Sequence, residues 1–216
     1  MDPETILQFW FGGALENREA MDERCKLWFG SNPYFDEQIR QRFGHLPYLA
    51  AEARCPAWIS SPRSCLALAL ILDQFPRNLY RGQGRAFAFD RRAVECARTA
   101  IGFGFDRKVH PVEAAFFYLP LEHAENSSLQ DLSVEKFRLL RKRAPRHLLT
   151  IFNGFYAYAL AHRAVIRRFG RFPHRNAMLG RTSGPEEMEY LAQGGETFGS
   201  GRSAGAKGKR SATINY

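Results

Sequence analysis

Asp2-Pro3, Asn32-Pro33, Ser61-Pro62, His110-Pro111 and Gly184-Pro185 recur along this chain, and each places a proline where a helix can begin. The first turn of a helix needs no amide proton from that position, and Asp, Asn and Ser are good capping side chains. Glu186 and Glu187 follow the last of these prolines, at the positive end of the helix dipole. Stop signals answer the starts: Gly12-Gly13, Gly30, Gly44, Pro76 after "LALALILDQF", Gly102, Gly104, Pro145 and Gly170. No run alternates polar and apolar residues over strand length between hairpin turns. The pattern predicts an all-α fold of many short helices.

The faces of these helices suggest how they pack. Over residues 62–75 the helix is apolar nearly all round, with Leu66, Leu68, Ala69, Leu70, Ile71 and Leu72, so it belongs in the middle of the fold. Over 129–143, Leu132, Phe137, Leu139 and Leu140 give one apolar stripe, and Lys136, Arg138, Arg141, Lys142 and Arg143 make the other side basic. A basic face of this kind is usually just solvated, so the sequence weighs against nucleic-acid binding through it and the C-terminal tail.

A chain of 216 residues with 45% hydrophobic content can bury one large core, which predicts a single all-helical domain over residues 1–198. Residues 199–216 read as a disordered basic Gly/Ser/Lys-rich tail. That tail carries four basic residues, and removing them lowers the net charge from +9 to +5, so much of the basicity says nothing about the folded part. The N-terminus lacks the pattern of a secretory signal, and no apolar run is long enough to span a membrane. A cytoplasmic location is expected. Cys25, Cys55, Cys65 and Cys96 are far apart, without metal-ligand spacing, and read as reduced thiols.

One internal echo stands out. "LILDQFPRNLYRG" (70–82) and "IRRFGRFPHRNAMLGR" (166–181) each end an apolar helix in Phe-Pro, followed by Arg-Asn, an apolar pair and glycine. The proline should stop each helix. The arginine and asparagine can then bond carbonyls left open at the helix end.

These stretches, with "FYLPLEHAEN", "ILQFWFG" and "GPEEMEYL", closely resemble the bacterial domain-of-unknown-function family 924 over residues 5–198. The resemblance implies an all-helical fold similar to tetratricopeptide-repeat proteins, an array of antiparallel helical hairpins. It implies no particular activity. Three positions depart from the family pattern: Ala114, Asn126 and Gly184 stand where arginine, aspartate and threonine are usual.

Several motif residues have the chemistry of a site. Arginine forks match carboxylate or phosphate, asparagine adds a directional donor and acceptor, and histidine tunes charge near neutral pH. Asp73, Arg77, Asn78, Arg85, Glu122, His123, Arg171, His174, Arg175, Asn176 and Arg181 are the candidate ligand-binding set, with Trp10, Phe75, Phe172 and Tyr118 as candidate apolar walls. The leading expectation is recognition of an anionic small molecule or a peptide carboxylate, with Glu122 holding the arginines. The alternative is a hydrolase-type enzyme using Glu122 or Glu125 as base and His123 or His174 as acid. The spacing offers no H-E-x-x-H or E-x-x-H, so no metal and no cofactor is expected. A third use of the same charges is pairing inside the fold, which would fix how short helices pack.

Overall fold

A computed structural model of the chain describes residues 1–52 and 56–199, so Cys55 and nearly all of the predicted tail lie outside the described residues. Its α-helices are α1 (Pro3–Phe11), α2 (Arg18–Phe29), α3 (Pro33–Phe43), α4 (Leu46–Glu52), α5 (Pro62–Ala69), α6 (Phe75–Leu79), α7 (Asp90–Gly102), α8 (Pro111–Glu122), α9 (Ser127–Arg143), α10 (Leu149–Phe169) and α11 (Pro185–Ala192). The described residues contain no strand, as the sequence pattern predicts. All of the proline-marked starts begin helices. Asp2, Asn32 and Ser61 accept backbone N–H groups two or three residues on, and His110 does so through Nδ1 while Glu113 returns a bond to the His110 N–H.

Two of the departures from the family pattern fall at such caps. Asn126 accepts the Leu129 N–H at 3.0 Å, a task aspartate performs equally well. Gly184 caps α11, where its N–H reaches Glu187 Oε2 at 2.8 Å. Ala114 is fully buried in α8.

Pro76 does not stop its helix. Between α5 and α6 the chain makes a π-turn, Leu70–Gln74, in which the Phe75 N–H bonds the Leu70 carbonyl five residues back. The wider ring admits a proline that lacks a donor, and the helix runs on to Leu79. Pro120 likewise sits inside α8, which continues through Glu122. The second copy of the Phe-Pro echo behaves differently. Helix α10 ends at Gly170 in the left-handed region (φ 71°), Phe172 is extended, and Pro173 opens only a 3-10 turn, Pro173–Arg175.

The core is aromatic at its centre. Trp10 packs against Trp28, Phe35, Phe75 and Phe116 with ring centroids 5.6–6.1 Å apart. The segment 62–75 lies within this core, as its apolar circumference predicts. Helix α9 packs along both α8 and α10, while α1 lies on α5 and α3 on α6. On α9 the buried side is Gln130, Ser133, Val134, Phe137 and Leu140. Leu139 is exposed instead, because it lies one residue off that stripe. No helix among the described residues is long and apolar enough to cross a membrane.

Candidate functional site

A cavity of about 830 Å³ opens where α6, the C-terminal end of α8, the middle of α10 and the Pro173–Arg175 turn meet. That volume suits a small organic molecule. Each element delivers specific chemistry.

The π-turn carries Asp73, which is 1% exposed and lies behind the cavity wall. Its Oδ1 is 2.8 Å from His123 Nδ1 and 3.2 Å from Arg77 Nη1, and Gln74 Nε2 donates to Oδ2 at 2.5 Å. Burial works against its charge, yet Arg77 and His123 hold Asp73 down to about 2. Arg77 also donates to the Asp73 backbone carbonyl at 2.7 Å, as expected for an arginine at a proline-interrupted helix. Asp90, at the start of α7, bridges Arg77 at 2.9 Å and Arg175 at 3.3 Å. The arginines are therefore held by Asp73 and Asp90, and not by Glu122 as the sequence suggested.

Arg175 is 5% exposed. Its guanidinium lies 4.4 Å from the ring centroids of both Phe87 and Phe172, and its Nη1 donates to the His123 carbonyl at 3.0 Å. Burial lowers its pKa to about 10, which leaves it cationic at neutral pH. Asn78 turns away from the arginines and donates to Asp36 Oδ1 at 2.8 Å; Asp36 in turn takes a two-armed contact from Arg81.

Glu122 and His123 close α8 side by side. Opposite them stands His162 of α10, a residue the sequence reading missed, with Nδ1 3.2 Å from Glu122 Oε1 and 2.9 Å from the Tyr158 carbonyl. A histidine on an apolar helix face carries no local signal of a site, which is why it escaped notice. Glu122 is 3% exposed, and its Oε2 has no hydrogen-bond partner. Burial, then the nearby Asp73 charge, push the Glu122 carboxyl well above its usual range; burial pulls both histidines down, His162 the further.

The apolar walls differ from those expected. Trp10, Phe75 and Phe172 are core, and Tyr118 donates to Asp106 at 2.8 Å. Trp28, Phe87, Phe137, Phe155 and Phe198 line the cavity instead. Phe198 lies nearly parallel on His162, centroids 3.5 Å apart, and is the one non-glycine at positive φ (48°) among the described residues.

The remaining candidates gather elsewhere. Arg181 grips Glu125 through two nitrogens at 2.6 and 2.8 Å, and Glu125 also accepts the Phe172 N–H. Arg171 grips Glu187 in the same way, and Asn176 bonds Ser183 and Glu187. These contacts pin the loop from 170 to 187 and do not line the larger cavity. Arg85 sits on the rings of Tyr48 and Tyr80. A smaller cavity of about 500 Å³ shares Phe87, His123 and Arg175 with the first, and Glu125 lines it. The basic face of α9 is largely engaged within the protein: Lys136 with Asp106, Arg138 with Glu135, and Arg141 over Tyr156.

His174 is half-buried between aromatic rings, and its shielded ring nitrogens lack well-directed partners. Burial, then the Arg175 charge, pull it down to about 3 from 6.5. The folded state keeps it neutral where the unfolded chain would take up a proton, so stability falls as pH drops below about 6.5. We expect this residue to contribute a loss of about 1.4 kcal/mol per pH unit. His174→Gln should flatten that slope in urea unfolding at stepped pH. Equal slopes in both proteins would mean that His174 accepts its proton inside the fold.

The model of the family described as bacterial protein of unknown function (DUF924) matches residues 6–195. The chain belongs to this family. Among solved structures, the family member is similar to the protein of unknown function ATU0120 from Agrobacterium tumefaciens, at 34% identity and a TM-score of 0.74, over 88% of this chain and 97% of that one. No curated protein matches it.

Proposed function

We propose that the larger cavity recognises a small anionic molecule or a peptide carboxylate. The observation that carries this reading is the charge of the lining. Lys26, Arg77, Arg81 and Arg175 border the cavity, against one acidic side chain, Glu122, which burial holds toward its neutral form. The carboxylates that balance three of these cations, Asp36, Asp73 and Asp90, are outside the lining, so their charge stands behind the arginines and not between them and a ligand. An arginine fixed by a carboxylate from behind keeps donors for an anion in front at little further cost in side-chain entropy.

The test is thermal unfolding with a panel of phosphates, dicarboxylates and short peptides, repeated with Arg175→Ala. A ligand at 100 times its dissociation constant adds about 2.7 kcal/mol of stability. We expect a shift with the parent and none with a still-folded variant. A shift of equal size in both would remove Arg175 from the site.

A second reading, acid–base catalysis, is favoured by one observation. Asp73 accepts from His123 Nδ1–H at 2.8 Å, which fixes the tautomer with a basic lone pair on Nε2, and next to it stands Glu122, whose burial favours the neutral acid form. In this reading His123 is the base and Glu122 the acid, the reverse of the roles the sequence suggested.

A further inference from the structure

We propose that Glu122, His123 and His162 form a binding site for a divalent transition-metal ion. One ligand atom from each residue lies within 4.8 Å of the others, in the wall of the larger cavity. The site stands apart from anion recognition, because it uses none of the arginines.

The chemistry of the three donors fits such an ion. Two imidazoles and a carboxylate are a borderline N,N,O set, suited to zinc, ferrous iron or cobalt and unlike the all-oxygen shell that calcium or magnesium prefers. Ligands about 2.0–2.2 Å from one metal stand about 3.0–3.5 Å apart. Glu122 Oε1 and His162 Nδ1 are already 3.2 Å apart. Glu122 Oε2, by contrast, is buried with no hydrogen-bond partner. A carboxylate oxygen in that position is costly unless something else satisfies it, and a cation would do so.

The surroundings also match what a ligated histidine needs. Metal-bound histidines usually present their second ring nitrogen to a carboxylate or carbonyl, which orients the ring and makes the ligand more basic. Asp73 does this for His123 at 2.8 Å from Nδ1, leaving Nε2 as the lone pair. His162 can adopt either tautomer: one donates Nδ1–H to the Tyr158 carbonyl at 2.9 Å, and the other frees Nδ1 beside Glu122. A metal held through Nδ1 selects the second. Three protein ligands leave coordination positions open, and the cavity alongside offers room for water or a ligand atom to fill them.

The test uses the full chain, stripped of metal with a chelator and titrated with Co2+ and Zn2+ alone. Cobalt is followed by its visible absorption, zinc by competition with a chromophoric chelator. We expect saturable binding of one ion per chain, with Co2+ bands of the intensity given by a four- or five-coordinate site. Glu122→Gln and His162→Gln should each weaken zinc at least 100-fold and abolish those bands. Asp73→Asn, acting through His123, should weaken it by about 10–100-fold. Glu122→Gln removes a buried carboxyl that lacks a full set of partners, so the variant is expected to fold, and circular dichroism checks this. Absence of a cobalt spectrum in the parent overturns the site. So does zinc binding that persists unchanged in Glu122→Gln or His162→Gln, since the ion then sits on other residues.

Discussion

Trp10→Ala will lower the unfolding free energy by about 3–5 kcal/mol, seen as a large fall in the urea midpoint. Trp10 is fully buried where α1, α2, α3, α6 and α8 meet, and four aromatic rings lean on it. Truncation leaves a void that rigid rings on separate helices cannot jointly collapse to fill. Most domains have only about 5–15 kcal/mol of stability, so the variant should approach half-unfolding under mild conditions. Trp10→Phe should cost much less, for two reasons. It keeps a ring in the site, and it removes an indole N–H that is buried with no partner. The bond from Trp28 Nε1 to the Trp10 backbone carbonyl survives either change. Equal losses in the two variants would mean that the core closes around the smaller residue.

The second large effect belongs to Asp73→Asn. The substitution is nearly isosteric, but it leaves the half-buried Arg77 guanidinium with Asp90 as its one carboxylate and breaks the bond that orients His123. Removing one partner of a buried ion pair typically costs about 3–5 kcal/mol. The pH dependence separates this from a packing defect. Asp73 is held to about 2 in the fold, against 3.8 in an ordinary environment. Its contribution is therefore fully present above about pH 4 and is lost as pH falls toward 2. The gap in stability between parent and variant should narrow by about 2–3 kcal/mol across that interval. A constant gap would show that the carboxylate's charge contributes nothing.

The elements that were legible in the sequence are those written locally. A capping residue followed by proline needs only its immediate neighbours, so the starts at Pro3, Pro33, Pro62, Pro111 and Pro185 could be read directly. Pro76 misled because its helix absorbs the missing donor by widening a turn. The site was half legible. Asp73, Arg77, Glu122, His123 and Arg175 converge, whereas Arg171, Asn176 and Arg181 share a motif with Arg175 and face other partners. Neighbours in sequence diverge in space once a 3-10 turn and the left-handed Gly180 intervene. His162 and Phe198 were invisible for the opposite reason: their roles come from contacts between α10 and a segment 36 positions further along the chain.

The π-turn at Leu70–Gln74 holds one residue more than a regular α-helical path between the same ends would need. Losing that residue would close the wide ring and leave Pro76 in a regular α-helical turn, where it clashes with the turn before it. Everything beyond it would then turn by about 100° against everything before. Arg77 and Asn78 lie beyond it, the apolar core positions of α5 before it, and Asp73 within it. The alignment of the arginine with its carboxylates is thus set by a single codon's worth of length. A chain that shed that codon would keep its other helices and their caps, and the charges would no longer meet.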